Sequence, residues 1–201
     1  MGWGASERAF EEIQTTASTS IFHGRYQKTN PLPMKVIFLD FDGVLNMGDY
    51  SNPWLGQARL LEGYADRDRF GLLFDAGCVG RLQRLVEATG AGIAISSAWR
   101  FAGLEAMQEM WQTRALPGAL LGVIPPAIDI MDTGRFGHLS RGHYIAQWLE
   151  QHPAEHYVIL DDSSDFLPHQ LPCLVRTEYE VGFSEGDLER ALGVLGDGGR
   201  A

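Results

Sequence analysis

Lys35-Val36-Ile37-Phe38-Leu39-Asp40-Phe41-Asp42-Gly43-Val44-Leu45-Asn46 is the stretch on which the reading of this chain turns. An apolar run rich in β-branched and aromatic residues ends abruptly in two carboxylates and a glycine. Runs of this composition form strands buried on both faces, as the central strands of parallel sheets are. Residues two apart on a strand point the same way. Asp40 and Asp42 are therefore expected on one side, where two like charges call for a cation between them. Hard carboxylate oxygens suit magnesium. The competing structural reading is a strand-end turn, capped by an Asp and turned at Gly43.

Downstream, the hydrophobic spacing alternates between two periods. Val79, Leu82, Leu85 and Val86 recur at helical intervals, with Asp75 as N-cap and Gly90 as stop. Ile93-Ala94-Ile95 is a short buried strand running into Ser96-Ser97-Ala98-Trp99-Arg100, which completes a βαβ unit with a right-handed crossover. Leu104 to Leu116 reads as a second helix, with Leu104, Met107, Met110 and Trp111 on one face. Leu120 to Ile124 is an edge element. A third helix starts at Ser140 or Arg141 and carries Tyr144, Ile145, Trp148 and Leu149. His156 to Leu160 is a strand ending in Asp161-Asp162-Ser163-Ser164-Asp165, and Leu171 to Val175 a further strand. Ser184 and Asp187 have the spacing of a capping box that opens a last helix. The tail from Gly196 is Gly-rich and expected to fray.

Residues 1–33 read differently: polar, with only a weak helical pattern and a stiff Pro31-Leu32-Pro33 connector. The expectation is a poorly ordered N-terminal extension followed by a single domain over 34–201. Residues 47–72 are too irregular for one helix and too apolar for disorder, so they are read as a small cap-like insertion over the mouth of a site. An ordinary long surface loop is the alternative.

The bulk properties narrow the function. The 201 residues are 45% hydrophobic, enough for one domain with a full core. No apolar run approaches the roughly 20 residues that span a bilayer, and no signal-peptide pattern opens the chain. Cys78 and Cys173, the only cysteines, sit in apolar settings; two reduced core thiols in a cytoplasmic protein are expected, a disulfide being the alternative. The net charge of −10 excludes nonspecific nucleic-acid binding through the overall field. An anionic substrate must be met by local arginines and a metal ion.

Three strands end in polar residues: Asp40 and Asp42, Ser96 and Ser97, Asp161 and Asp162. Parallel strands of an open α/β sheet deliver these ends to one edge, where ligands bind.

Phe38 to Asn46 resembles the first motif of the haloacid dehalogenase-like (HAD) hydrolase superfamily. Ile95-Ser96 resembles the second motif, Arg141 stands at the third, and Val158 to Asp162 is similar to the paired-acid form of the fourth. The resemblance runs in order from Lys35 to about Leu195. More narrowly, Ile95 to Arg100, Arg141 with Ile145 and Trp148-Leu149, and the Asp161-Asp162 strand resemble HAD domains associated with Swiss Army knife RNA-repair proteins. The resemblance implies a three-layer, Rossmann-like α/β fold with a central, mostly parallel sheet and a small cap insertion after the first strand.

It also implies roles. Asp40 is the expected nucleophile, forming an aspartyl-phosphate; Asp42 is the expected acid/base. Mg2+ is expected on Asp40, the Asp42 backbone carbonyl and Asp162, with Asp161 a further ligand or an acceptor behind it. Ser96 and Arg141 are expected on the transferring phosphoryl group, where Arg in place of the more usual Lys adds a forked geometry. Gly43 lets backbone amides approach the phosphate; Ser97 and Arg100 are further substrate-binding candidates, with a surface ion pair the alternative for Arg100. An acid/base at Asp42 favours phosphatase over dehalogenase chemistry.

Other residues are weighed against plainer roles. Asp165 assists the metal or caps a helix. His138 and His143 line the site or lie exposed at a helix start. His152 and His156 lack the partners of a zinc set, and the Asp40–Gly43 run lacks the closing Glu of a calcium loop. Trp54, Tyr64, Trp99 and Trp111 stack on bases or fill the core. The substrate expected is a phosphorylated nucleic-acid end, a nucleotide or a small metabolite. The non-enzymatic alternative is a catalytically silent HAD-like binding or assembly module. The oligomeric state has no signature in the sequence.

Overall fold

The computed structural model describes residues 35–46, 67–125 and 140–196. The expectations for residues 1–33, for Trp54, Tyr64 and His138, and for most of the 47–72 insertion fall outside these residues. Among the described residues are seven strands, β1 (Lys35–Leu39), β2 (Arg67–Asp68), β3 (Gly71–Leu72), β4 (Gly92–Ile95), β5 (Leu120–Val123), β6 (His156–Asp161) and β7 (Leu174–Arg176). Four helices accompany them: α1 (Ala76–Thr89), α2 (Leu104–Thr113), α3 (Arg141–Gln151) and α4 (Glu185–Leu195).

Five strands form one sheet in the order β5-β4-β1-β6-β7, and every pairing in it is parallel. β1 is central and its side chains alternate between two cores. Ile37 and Leu39 pack with Leu82 and Leu85 of α1, Met107 and Met110 of α2, and Leu188 and Ala191 of α4. Val36 and Phe38 face the other way, toward Ile145 and Trp148 of α3. Phe38 meets Trp148 edge-on at 5.3 Å and Tyr157 at 5.6 Å between ring centroids. Each such aromatic pair adds about 1 kcal/mol beyond area burial. Helices on both faces of a parallel sheet make the three-layer α/β sandwich expected from β1's unbroken apolar run.

The local signals act as anticipated at most ends. The Asp75 side chain accepts the Cys78 N–H at 2.8 Å, and Gly90 closes α1 at φ 67°. Ser184 and Asp187 form the reciprocal capping box of α4. Two boundaries differ. α2 ends at Thr113, short of Leu116, and Ala115 takes a positive φ of 49°. The strand expected from Leu171 starts at Leu174, because Pro168–Cys173 coils into a 3-10 helix. Pro172 lacks the N–H that a ladder position needs. Cys78 and Cys173 are both buried and free.

Of the 47–72 insertion, residues 67–72 form the antiparallel β2–β3 hairpin. Arg114, just past α2, grips it: Nε and Nη2 meet the two Asp68 carboxylate oxygens at 2.9 and 2.8 Å. The guanidinium also covers the Phe74 ring at 4.6 Å. Hydrogen bonding from Arg114 holds the Asp68 carboxyl below the usual carboxylate range, and the Phe70 amide assists. A lowered folded-state pKa stabilises the protein at pH above the unfolded value, and that contribution fades as pH falls through the folded one. Asp68→Asn is therefore expected to cost about 1–2 kcal/mol at neutral pH. The gap to wild type should shrink as melting is followed down to about pH 3. A gap of constant size across that range would refute the linkage. No helix among the described residues is long and apolar enough to cross a membrane.

Candidate active site

Strand register assembles the site. Leu39, the last residue of β1, pairs with Ile95 of β4 on one side and Leu160 of β6 on the other. The residues that follow, Asp40, Ser96 and Asp161, therefore emerge side by side, one strand spacing apart. Backbone bonds extend the register past the strand end: Asp40 N–H donates to Leu160 O at 3.0 Å, and Ser96 N–H to Leu39 O at 2.9 Å. All three side chains are buried.

The carboxylates of Asp40, Asp161 and Asp162 each place an oxygen within 4.8 Å of the others. Arg141, in the first turn of α3, bridges two of them: the same Nη1 donates to Asp40 Oδ2 and to Asp161 Oδ2. Asp161 Oδ1 accepts the Ser163 N–H at 2.8 Å, so both its oxygens have protein partners. Burial, with the charge of Asp40 added, raises the Asp161 carboxyl to about 7 against the pull of Arg141. The same causes raise Asp162, which is less enclosed. Burial alone would lower the Arg141 pKa, but the charges of Asp40 and Asp161 outweigh it and raise it. Arg141 thus directly pairs two of the three carboxylates and leaves Asp162 outside its hydrogen bonds. A donor set of hard oxygens with surplus negative charge is suited to a divalent cation.

Asp42 departs from the expectation that it shares a cation with Asp40 on one strand face. β1 stops at Leu39, and the amides of Val44, Leu45 and Asn46 all turn back to Phe41 O. Asp42 lies in this loop, outside the three-carboxylate cluster. Its charge meets two N–H donors instead: Asn46 Nδ2 reaches Oδ1 at 3.1 Å and Trp99 Nε1 reaches Oδ2 at 3.0 Å. Gly43 has φ 75°, and a Cβ there would lie 2.8 Å from both Asp162 Cγ and Tyr179 Cδ2. No side chain fits at that point of the loop. Thr177 Oγ1 secures it further by donating to Gly43 O at 2.7 Å.

Ser96 Oγ is buried and has no hydrogen-bond partner among the described residues, which leaves it available to a ligand. Its neighbour Ser97 is fully buried, and its hydroxyl accepts the Trp99 N–H as the cap of a 3-10 turn over Ala98–Ala102. Arg100 makes no ion pair among the described residues. Its Nη1 donates to the carbonyls of Ser96 and Ser97 at 2.7 and 2.9 Å, and its guanidinium lies over Phe101 and Tyr144. Burial, and then the charge of Arg141, lower its pKa. Asp165 stands outside the cluster, accepting the Arg141 and Gly142 backbone N–H groups at the start of α3. The His143 ring bonds Ser140 Oγ, and His152 stacks on Trp148. Trp111 packs in the core.

Three contacts had no sequence signal: those of Trp99 and Asn46 with Asp42, and that of Tyr179 beside Gly43. Trp99 and Asn46 are visible within stretches that resemble family motifs, and Trp99 also as a base-stacking or core aromatic, but neither as a partner of Asp42; Tyr179 lies in a turn with no motif.

A central β1 whose carboxyl end carries one acid into a cluster and another into a tight loop, flanked by a serine strand and an acid-pair strand, defines an HAD-like domain. The chain belongs to the family described as the HAD domain in Swiss Army Knife RNA repair proteins, whose family model matches residues 36–188. Neither a curated protein nor a solved structure gives a significant match.

Proposed function

We propose that this domain is a Mg2+-dependent phosphatase acting on phosphomonoesters, with phosphorylated nucleic-acid ends or nucleotides as substrate. The observation that carries the reading is the alignment of Asp40, the unpartnered Ser96 hydroxyl and Arg141 at one edge of the sheet. Asp40 attacks phosphorus and the ester P–O bond breaks, its electron pair passing to the leaving oxygen, which takes a proton from the Asp42 carboxyl. In the second step Asp42 accepts a proton from water, the water oxygen bonds to phosphorus, and the Asp40–phosphorus bond breaks. Ser96 and Arg141 donate to the phosphoryl oxygens as charge builds on them. In this reading Arg100 extends that cationic wall from its hold on the Ser96 and Ser97 carbonyls, and Ser97 supports it by capping the turn.

Asp40, Asp162 and the Asp42 carbonyl are the groups that would hold the metal. Asp161, both of whose oxygens are engaged, backs Arg141. The cation would supply charge neutralisation between nucleophile and phosphate.

Mg2+ at about a hundred times its Kd is expected to stabilise the fold by about 2.7 kcal/mol. In a domain of this size that is a rise in Tm of about 5–10 °C. Asp162→Ala should abolish the rise; an unchanged shift in that variant would remove Asp162 from the metal site.

Function is tested with a panel of RNA and DNA phosphorylated at either end, mononucleotides and sugar phosphates, assayed with Mg2+. Turnover of the oligonucleotides, weakening steeply with salt, is the expected result. The net charge of −10 favours a second reading, a small-metabolite phosphatase, for which the sugar phosphates would lead. No turnover anywhere would favour a silent binding or assembly module.

A further inference from the structure

The Asp42 carboxylate is held by two side chains that belong to neither the acid cluster nor the phosphate donors. Trp99 Nε1 lies 3.0 Å from Oδ2 and Asn46 Nδ2 lies 3.1 Å from Oδ1. An indole N–H donates and never accepts, so its one polar atom serves Asp42 alone.

The indole is itself held firmly. Phe41 meets it edge-on at 5.6 Å, Phe74 tilts against it at 5.7 Å, and Arg114 lies over it at 5.7 Å. Behind it is Gly71 of the β2–β3 hairpin, where a Cβ would come within 3.3 Å of Trp99 Cη2. Asn46 is kept at a cost. Its Oδ1 is buried without a partner among the described residues, an arrangement normally unfavourable, and the contact the amide does make is the N–H it gives Asp42.

We propose that Trp99 and Asn46 are positioning residues that aim the Asp42 carboxyl at the leaving oxygen, with Phe41, Phe74 and Gly71 as the seat fixing the indole. The inference rests on Asp42 as the acid/base of the reaction proposed above. A positioned acid matters in proportion to the basicity of the group it protonates. In the step that forms the aspartyl-phosphate, a donor that aims Asp42 therefore affects poor leaving groups and spares good ones, whereas lost packing slows that step for every substrate alike.

The test measures kcat and KM with Mg2+ on dinitrophenyl, nitrophenyl, phenyl and alkyl phosphates for the full chain, Trp99→Phe, Asn46→Ala and Asp42→Asn. Trp99→Phe keeps the ring and loses the N–H; Asn46→Ala leaves the aromatic seat untouched and serves if the first variant folds poorly. Expected is a fall in kcat/KM, which reports the steps up to the aspartyl-phosphate, of about 10–100-fold on phenyl and alkyl phosphates and under about 3-fold on dinitrophenyl phosphate; kcat also carries the water step common to all substrates. Asp42→Asn should show the same grading with larger losses. Uniform or absent losses in Trp99→Phe and Asn46→Ala, beside a graded Asp42→Asn, overturn the proposal alone. An ungraded Asp42→Asn overturns it together with the acid/base assignment.

Discussion

Asp40→Asn is expected to lose phosphatase turnover by on the order of 10^4-fold or more, because an amide oxygen cannot replace the attacking carboxylate. The fold should survive. Asp40 Oδ1 accepts the Phe41 N–H at 2.7 Å, a bond that an Asn carbonyl can keep. Arg141 loses one anion but retains Asp161. Against that loss stands relief: the charge of Asp40 helps raise both Asp161 and Asp162, and without it both carboxylates ionise more easily. The two effects oppose each other, so stability should stay within about 1 kcal/mol of wild type. Turnover and Tm measured together decide the matter. Full activity in a folded Asn variant would sink the nucleophile assignment, and with it the phosphatase reading.

Arg141→Ala acts on the same cluster from the opposite side. The guanidinium is 34% exposed, whereas the carboxylates it bridges are 3% and 0% exposed. Removing it leaves Asp40 and Asp161 confronting each other with no cation between them. Buried charges stripped of a partner are costly, and discounting for the exposed third of Arg141 gives a loss of about 2 kcal/mol. Turnover should fall about a thousand-fold, the scale associated with a transition-state arginine. Mg2+ should restore part of the stability, since it supplies positive charge to the same carboxylate cluster, but little of the turnover. Arg141→Lys, a point charge without the fork, should recover stability better than rate. If Arg141→Ala kept its turnover, Arg141 would be a structural counter-ion only.

Much of the fold was legible because β1 is apolar on both faces, a pattern that only a central, doubly covered strand satisfies. The carboxyl ends of β1, β4 and β6 announced themselves by a sudden change from apolar to polar residues. The sequence could not show where Asp42 goes. Strand alternation places it beside Asp40, but backbone bonds to Phe41 O fold the loop away first. Nor could spacing reveal Trp99 on Asp42 or Tyr179 on Gly43, since both contacts cross between distant parts of the chain and depend on a turn's exact direction. The strand expected over Leu171–Val175 begins only at Leu174 for a simpler reason: its apolar content suits a strand, but Pro172 does not.

The central place of β1 has a consequence for how this protein is made. Its two ladder partners, β4 and β6, and the α3 arginine are encoded progressively later, β6 across most of the domain's length. A ribosome releases Asp40 well before Ser96, Arg141, Asp161 and Asp162 exist. The nascent chain therefore carries an unarmed carboxylate, solvated and without neighbours. The proposed chemistry needs the last third of the domain beside the first strand, so that a chain interrupted before β6 holds the proposed nucleophile but none of the acid pair that surrounds it.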